Sequence, residues 1–257
     1  MTPNVNMKNI LLKQRLLASA GHLLFSFLMI ALASVLVFYI WYPEPFAVAS
    51  GVTKIVLMLF SIDLVLGPLV TFIIYKSDKK HFIKDLSVIL LVQIMALTYG
   101  LYTLHQGRPV WVVFVIDDIE LISPASIHLS NESDFKKEYH YRIFQKPTLV
   151  GASYSTDGNI AQKQKEAEMF QGVSLAARPE TYHSINLKKN QILKTIKKID
   201  ELYKFNDAKN VNYILLNYPN ISGYLPVKGF DKDIVALVDQ EGVVLKFVDL
   251  NPWSITD

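Results

Sequence analysis

The chain has 257 residues, 51% of them apolar, a positive mean hydropathy of +0.25 and no cysteine. That profile belongs to a membrane protein carrying a polar domain, and the missing thiols exclude disulfides, thiolate zinc sites, iron-sulfur clusters and cysteine nucleophiles together. The net charge of +3 divides unevenly, with 8 Lys+Arg against 4 Asp+Glu up to His105 and 18 against 19 beyond it, so the C-terminal part carries no basic footprint for nucleic acid.

Residues 1–16 form a basic leader with Lys8, Lys13 and Arg15, for which Met7 is an alternative start. An apolar run at about 17–42 follows, too long for a signal-peptide core and without a small-residue cleavage site, and reads as an uncleaved transmembrane helix. Trp41 and Tyr42 suit the headgroup level, and Pro43 and Pro45 end the helix. His22, inside this span, reads as a packed or interfacial residue rather than a ligand.

The second span, about 52–75, contains Asp63-Leu64-Val65-Leu66-Gly67-Pro68-Leu69. A carboxylate in hydrocarbon costs several kcal/mol unless it meets protein or water, so Asp63 faces inward, as a packing residue or a functional one. Gly67 and Pro68 free backbone groups and admit a neighbouring helix, which predicts a kinked, packed segment. The third span, about 86–104, carries Gln93 and Tyr99 as candidate hydrogen-bond partners for Asp63, and Gly100 as a further site of close helix approach. Lys76, Lys79, Lys80 and Lys84 join the leader's cations, whereas residues 43–51 hold Glu44 and no Lys or Arg. The positive-inside rule then puts the N-terminus in the cytoplasm and everything after His105 on the far side, the periplasm of a Gram-negative cell. One intramembrane carboxylate in three spans, without inverted repeats, is a poor basis for a transporter.

Residues 110–116, Val-Trp-Val-Val-Phe-Val-Ile, read as a buried strand, closed by Asp117, Asp118 and Glu120. That carboxylate cluster could hold a cation or do acid-base chemistry, but no partnering His or ligand loop follows, and a solvated strand end is favoured. A short helix is expected at 132–141, an extended piece at 148–154, a turn at 156–159 and a polar helix at 160–170. From 186 to 205, Ile192, Ile196, Ile199 and Tyr203 recur at helical spacing, with Lys188, Lys189, Lys194, Lys197 and Lys198 mainly off the stripe. Those lysines read as a solvated face, or as a docking surface for an acidic partner or lipid headgroups. Residues 211–216 are expected as a strand. Tyr224-Leu225-Pro226-Val227 is a short extended piece whose proline suits a sheet edge, and 234–238 and 243–248 flank a hairpin turn ending in Gly242. The expected fold class is α+β: a three-helix transmembrane bundle over 1–105, followed by a periplasmic α+β domain over 106–257 with a mainly antiparallel sheet.

No nucleophile elbow, phosphate-binding glycine loop or zinc-binding His-Glu-x-x-His occurs, and the histidines at 105, 128, 140 and 183 lack paired ligand spacing. No catalytic residue, metal site or cofactor is assigned, and the chain is read as a non-enzyme. Asn131-Glu132-Ser133 and Asn220-Ile221-Ser222 match the glycosylation pattern, a motif short enough to arise by chance.

In their order along the chain, Trp41-Tyr42-Pro43, residues 63–69 and 96–102, Arg108-Pro109-Val110, Phe114, residues 233–239 and Asp249-Leu250-Asn251-Pro252-Trp253 resemble the type IV pilin accessory proteins of the TfpX/TfpZ family. The resemblance covers the membrane half and the ends of the second half, and leaves about 123–210 unmatched. It implies an inner-membrane accessory factor specific for a cognate major type IV pilin, acting as a chaperone or assembly helper. The chemistry of the residues adds two candidate surfaces: Asp63, Gly67, Pro68, Gln93, Tyr99 and Gly100 for packing or pilin contact within the membrane lipid, and a sheet edge at Tyr224, Leu225 and Val227 for strand pairing. The rival readings are a membrane-anchored enzyme using Asp117, Asp118 and Glu120, and a ligand-binding scaffold. The oligomeric state is left open.

Overall fold

The computed structural model describes residues 3–75, 79–128 and 136–253, so the sequon at Asn131 and the first four residues of the helix expected at 132–141 lie outside the described residues; the remainder holds only a 3-10 turn at Lys137–Tyr139 in place of that helix. The chain divides into two compact units: Met1–Val37 with Thr53–Leu104, and Phe38–Val52 with His105–Asp257.

The first unit is helical. Helix α1 spans Pro3–Val35 and continues as a π-helical turn over Leu36–Trp41; after the short α2 (Phe46–Ala49), which belongs to the other unit, come α3 (Val52–Ile74) and α4 (Lys79–Gly107). Three stretches, Asn9–Trp41, Val52–Ile74 and Phe82–Gly107, are long and apolar enough to cross a membrane. Apolar runs of this length become helices because a backbone surrounded by hydrocarbon must satisfy its hydrogen bonds within the segment. On α3 the buried positions Val56, Phe60, Asp63, Gly67 and Thr71 recur every three or four residues, a single helix face. Helix α3 runs unbroken through Pro68, whose carbonyl accepts a hydrogen bond from Ser19 Oγ at 2.8 Å.

The second unit is a seven-stranded sheet in the order β4-β3-β1-β2-β5-β6-β7, built from β1 (Trp111–Phe114), β2 (Ile119–Ile122), β3 (Thr148–Ala152), β4 (Tyr182–His183), β5 (Ile221–Lys228), β6 (Ile234–Asp239) and β7 (Val244–Val248). It is mixed rather than mainly antiparallel as expected, because β1–β3 and β2–β5 pair in parallel. The segments between those strands cross over the sheet instead of turning back as hairpins. Both faces are covered. Val112, Phe114, Leu225, Val227 and Ala236 pack with Phe46, Ala49 and Ile192, while Trp111, Val113 and Val150 pack with Leu175, Ala176 and Tyr182. That two-sided cover is why β1 and β6 read as unbroken apolar runs.

Residues 38–52, read from the sequence as the end of the first span and the connection 43–51, belong to this unit, and Phe46 and Ala49 lie in its core. Phe46 meets Phe247 in a tilted contact with ring centres 5.1 Å apart, and the Ala49 carbonyl accepts from the Phe230 and Asp231 amides, both at 2.9 Å.

Three local expectations are corrected. The stretch at 211–216 is not a strand but part of helix α7 (Ala208–Leu215), started by the Asp207 side chain accepting from the Lys209 amide and held by Val211, Ile214 and Leu215 on one face. The single helix expected over 186–205 is broken into 3-10 turns around α6 (Lys189–Thr195), because Lys197 extends to exchange backbone hydrogen bonds with Tyr224 at 2.8 and 3.0 Å. Ile192 is nevertheless buried, and Ile196 and Ile199 pack against the cores. Third, Pro226 sits inside β5, which lies between β2 and β6. The Tyr224 amide points toward Lys197, so the nitrogen two residues on faces the same side, in the gap between that bridge and the first β2 pairing at Val227, where no donor is needed. The β6–β7 hairpin forms as expected, with Gly242 at φ 75° and Asp239 Oδ1 accepting from the Glu241 and Val243 amides. Helix α5 (Gly158–Gln171) also falls where the polar helix was expected, capped by Asp157.

Candidate functional site

Inside the helical unit, polar side chains from α1, α3 and α4 converge. His22 Nδ1 lies 2.5 Å from Thr71 Oγ1 and its Nε2 2.6 Å from Gln93 Oε1, while Gln93 Nε2 donates to the Asp63 carbonyl at 3.3 Å. An amide oxygen only accepts, so the tautomer that satisfies both partners carries its proton on Nε2 and accepts a hydrogen bond from the Thr71 hydroxyl at Nδ1. Gly67 makes room for this pair: a Cβ there would stand 2.2 Å from Gln93 Nε2 and 2.8 Å from His22 Nε2.

Asp63 is 8% exposed and borders a cavity of about 20 Å³ whose lining includes Ser26, Met29, Gln93 and Leu97, room for roughly one water. Among the described residues none donates a hydrogen bond to its carboxylate; Gln93 binds its backbone instead. Tyr99, the other candidate partner, is 73% exposed. Gly100 lies apart from the network against Leu59, whose Cδ2 would be 2.6 Å from a Cβ. Of the predicted positions, Asp63, Gly67, Pro68 and Gln93 are therefore drawn together, joined by His22, Thr71 and Ser19. Ser19, His22 and Ser26, spaced by three and four residues, were the legible signal for His22 as the hub.

In the sheet unit, Tyr224, Leu225 and Val227 are fully buried on central β5, which overturns their placement on an exposed edge; the terminal strands are β4 and β7. The proline pointed to an edge because its register with the neighbouring strands is set in three dimensions. Tyr224 donates to the Pro252 carbonyl at 2.9 Å, and burial pushes its phenol up to about 12. The carboxylates after β1 are engaged: Asp118 pairs with Lys228 at 2.6 Å, and Glu120 accepts from Ser174 Oγ at 2.8 Å, with burial raising its carboxyl. Among the described residues no group of His, Asp and Glu is arranged to hold a metal ion. Lys188 does not join a solvated lysine face; it is buried, donates to Gln191 Oε1 at 2.9 Å, and burial lowers its pKa.

A second cluster, not assigned any role from the sequence, surrounds Arg108. The residue is fully buried, with its guanidinium 5.7 Å from the Trp41 ring centre and donating to the carbonyls of Arg142 at 2.6 Å and Gln145 at 2.8 Å. Burial pulls its pKa down to about 10, partly offset by Tyr141 and Tyr42, so it stays charged at neutral pH. Trp41 meets His105 edge-on at 5.3 Å and donates its indole N–H to the Ile143 carbonyl at 2.7 Å.

Comparison with known proteins brings this geometry into a family. The sequence model described as Fimbrial assembly protein FimB matches residues 10–51, the first apolar helix together with the Phe46–Ala49 segment that closes the sheet core. The fimbrial assembly protein of serogroup I from Dichelobacter nodosus is 32% identical over 205 residues, covering 77% of this chain and 79% of the relative. That of serogroup E1 is 31% identical over 206 residues with the same coverage, and that of serogroups C1 and C2 is 39% identical over 123 residues, covering 46% of this chain and 94% of the relative. No solved structure gives a significant match. Similarity that runs through both the apolar helices and much of the sheet unit cannot come from shared hydrophobicity alone, and the chain belongs to the FimB family of fimbrial assembly proteins.

Proposed function

We propose that the chain is an inner-membrane accessory protein of type IV pilus biogenesis, a non-enzymatic chaperone or assembly factor for a cognate major pilin. The observation that carries this reading is membership of a fimbrial assembly family over three quarters of the chain. A pilin awaiting assembly presents one long apolar helix and a globular head, and this protein offers an apolar helical unit and a sheet domain to match them. Exposed apolar side chains along α3, among them Leu57, Val65 and Ile73, supply a surface that lipid or a pilin helix covers. The engagement of Asp118 by Lys228 and of Glu120 by Ser174 supports the non-enzymatic reading, since those carboxylates were the sole catalytic candidates. The charge of the segments flanking the spans supports a cytoplasmic N-terminus and a periplasmic sheet domain.

The test is the steady-state level of the major pilin, with its transcript, in a strain lacking this gene and in one complemented with Asp63→Asn. Pilin protein falling while transcript holds supports the chaperone role, and abundant but unassembled pilin places the action later, in assembly. Normal pilin and normal piliation overturn the reading.

A further inference from the structure

Residues Arg142-Ile143-Phe144-Gln145 form a β-turn, closed by the Gln145 amide donating to the Arg142 carbonyl at 3.1 Å. Its two central positions, where turns in water favour Gly, Asn, Asp or Pro, hold Ile143 and Phe144, exposed to 59% and 71%. The backbone beneath them is clamped from three directions. Arg108 holds the carbonyls at both ends of the turn, Trp41 holds that of Ile143, and Gln145 Oε1 accepts from the Arg142 amide at 3.1 Å. A buried guanidinium and an indole thus fix a turn whose tip offers two apolar side chains to its surroundings.

The residues of the clamp say what those surroundings are. Trp41 is the last residue of the first apolar stretch, and His105, against its ring, lies near the end of the third, which closes at Gly107. The turn is therefore tied, within the sheet unit, to the residues that close the first and third apolar stretches. Around the tip, Lys136, Lys137, Arg142 and Lys146 are exposed, with Glu138 the one acidic residue in the stretch from 136 to 146. Apolar side chains at the tip with cations beside them match an interface of acyl chains below anionic headgroups.

We propose that the Ile143-Phe144 turn is a membrane-interface anchor, seated in a bilayer surface rich in anionic phospholipid, which fixes the sheet domain close to the membrane. It rests on the reading of the three apolar helices as membrane spans, not on the identity of the pilin.

The absence of native cysteine permits single-site labelling of the full chain with an environment-sensitive fluorophore at Phe144→Cys and Lys146→Cys. Leu216→Cys, on the 82% exposed Leu216 of the sheet unit, is the aqueous control, and Leu57→Cys on α3 is the lipid control. In phosphatidylglycerol vesicles, lipid spin-labelled near the headgroup is expected to quench the Phe144 label at least about twofold more than the Leu216 label, with weaker quenching in phosphatidylcholine. The Lys146 label is expected to fall between Phe144 and Leu216. Quenching at Phe144 no greater than at Leu216, or equal in both lipids, overturns the proposal. So does shielding that appears only when pilin is added or when the protein-to-lipid ratio is raised, which would assign the tip to a protein partner or a second copy. A Leu57 label in lipid beside a water-exposed Phe144 label rejects the anchor alone; a water-exposed Leu57 label rejects the spans as well.

Discussion

The two units differ in the kind of side chain they leave at the surface. In the helical unit His22, Ser26, Asp63 and Thr71 are inside while Leu32, Leu57, Val65 and Ile73 are exposed; in the sheet unit Val112, Phe114, Leu225 and Leu237 are inside, with Lys and Glu at the surface. Each unit hides what its surroundings reject. Hydrocarbon supplies no drive to bring apolar helices together, so their association rests on close packing and interhelical hydrogen bonds. Water does drive apolar burial, at roughly 25 cal/mol per Å², and the sheet uses that. The lesson is that the same substitution should have different consequences in the two units.

The largest expected effect tests whether residues 38–52 belong to the water-driven core. Phe46→Ala removes a buried ring packed against Phe247 and is expected to cost about 3–5 kcal/mol in the denaturation of the detergent-solubilised protein. Leu57→Ala, at an exposed position of α3, should cost less than about 0.5 kcal/mol; equal costs would erase the contrast. Next comes Arg108→Met, which strips the carbonyls of Arg142 and Gln145 of their charged donor. About 2–4 kcal/mol is expected, with faster proteolysis between residues 141 and 146; unchanged cleavage there would mean the turn does not depend on its clamp.

Within the helical unit, bulk rather than its removal should do the damage. Gly67→Ala drives a Cβ into the Gln93–His22 pair, whereas Gly21→Ala meets nothing within 4 Å. A loss of about 1–3 kcal/mol is expected for the first, read as lower protein abundance, and none for the second; matching behaviour would show that the polar network is not tightly packed. The smallest effect belongs to the sheet surface. The hydrogen bond that Lys228 donates to the Asp118 carboxylate is the main reason that the lysine pKa is raised above its ordinary 10.5. Its stabilisation is therefore whole below that pH and is lost as pH rises through the raised value. With the lysine side chain 50% exposed, Lys228→Met should cost less than about 1 kcal/mol at neutral pH. The variant should also flatten the alkaline end of the stability profile, and an unchanged profile would remove the pair from the ledger of the sheet.

Legibility in the sequence followed the range of the interactions. Helix α5 announces itself through Asp157, whose side chain accepts from Asn159 and Ile160 close by, and the β6–β7 turn through Asp239 and Gly242. Helix α7 was equally local, with Asp207 as its cap and Val211, Ile214, Leu215 and Tyr218 at helical spacing, but the run 211–216 also fits a short buried strand, and periodicity cannot separate the two at that length. The break at Lys197 was not local at all: it exists because β5 has backbone groups to satisfy at Tyr224. The inward orientation of Asp63 could be inferred from the cost of a carboxylate in hydrocarbon, and Gln93 could be named as its neighbour, but not that Gln93 would bind the backbone carbonyl rather than the carboxylate, nor that Tyr99 would face outward.

By itself, the sequence determined that this protein has three long apolar helices, a buried β1, a closing hairpin and no thiol chemistry, because these depend on composition and on contacts a few residues apart. Only the tertiary structure decided that residues 38–52 complete the sheet core, that β5 is central, that His22 joins three helices and that Arg108 and Trp41 hold an apolar turn. The bonds responsible link residues 49, 71, 37 and 102 positions apart, and no local pattern of side chains encodes which distant partner a buried donor will find.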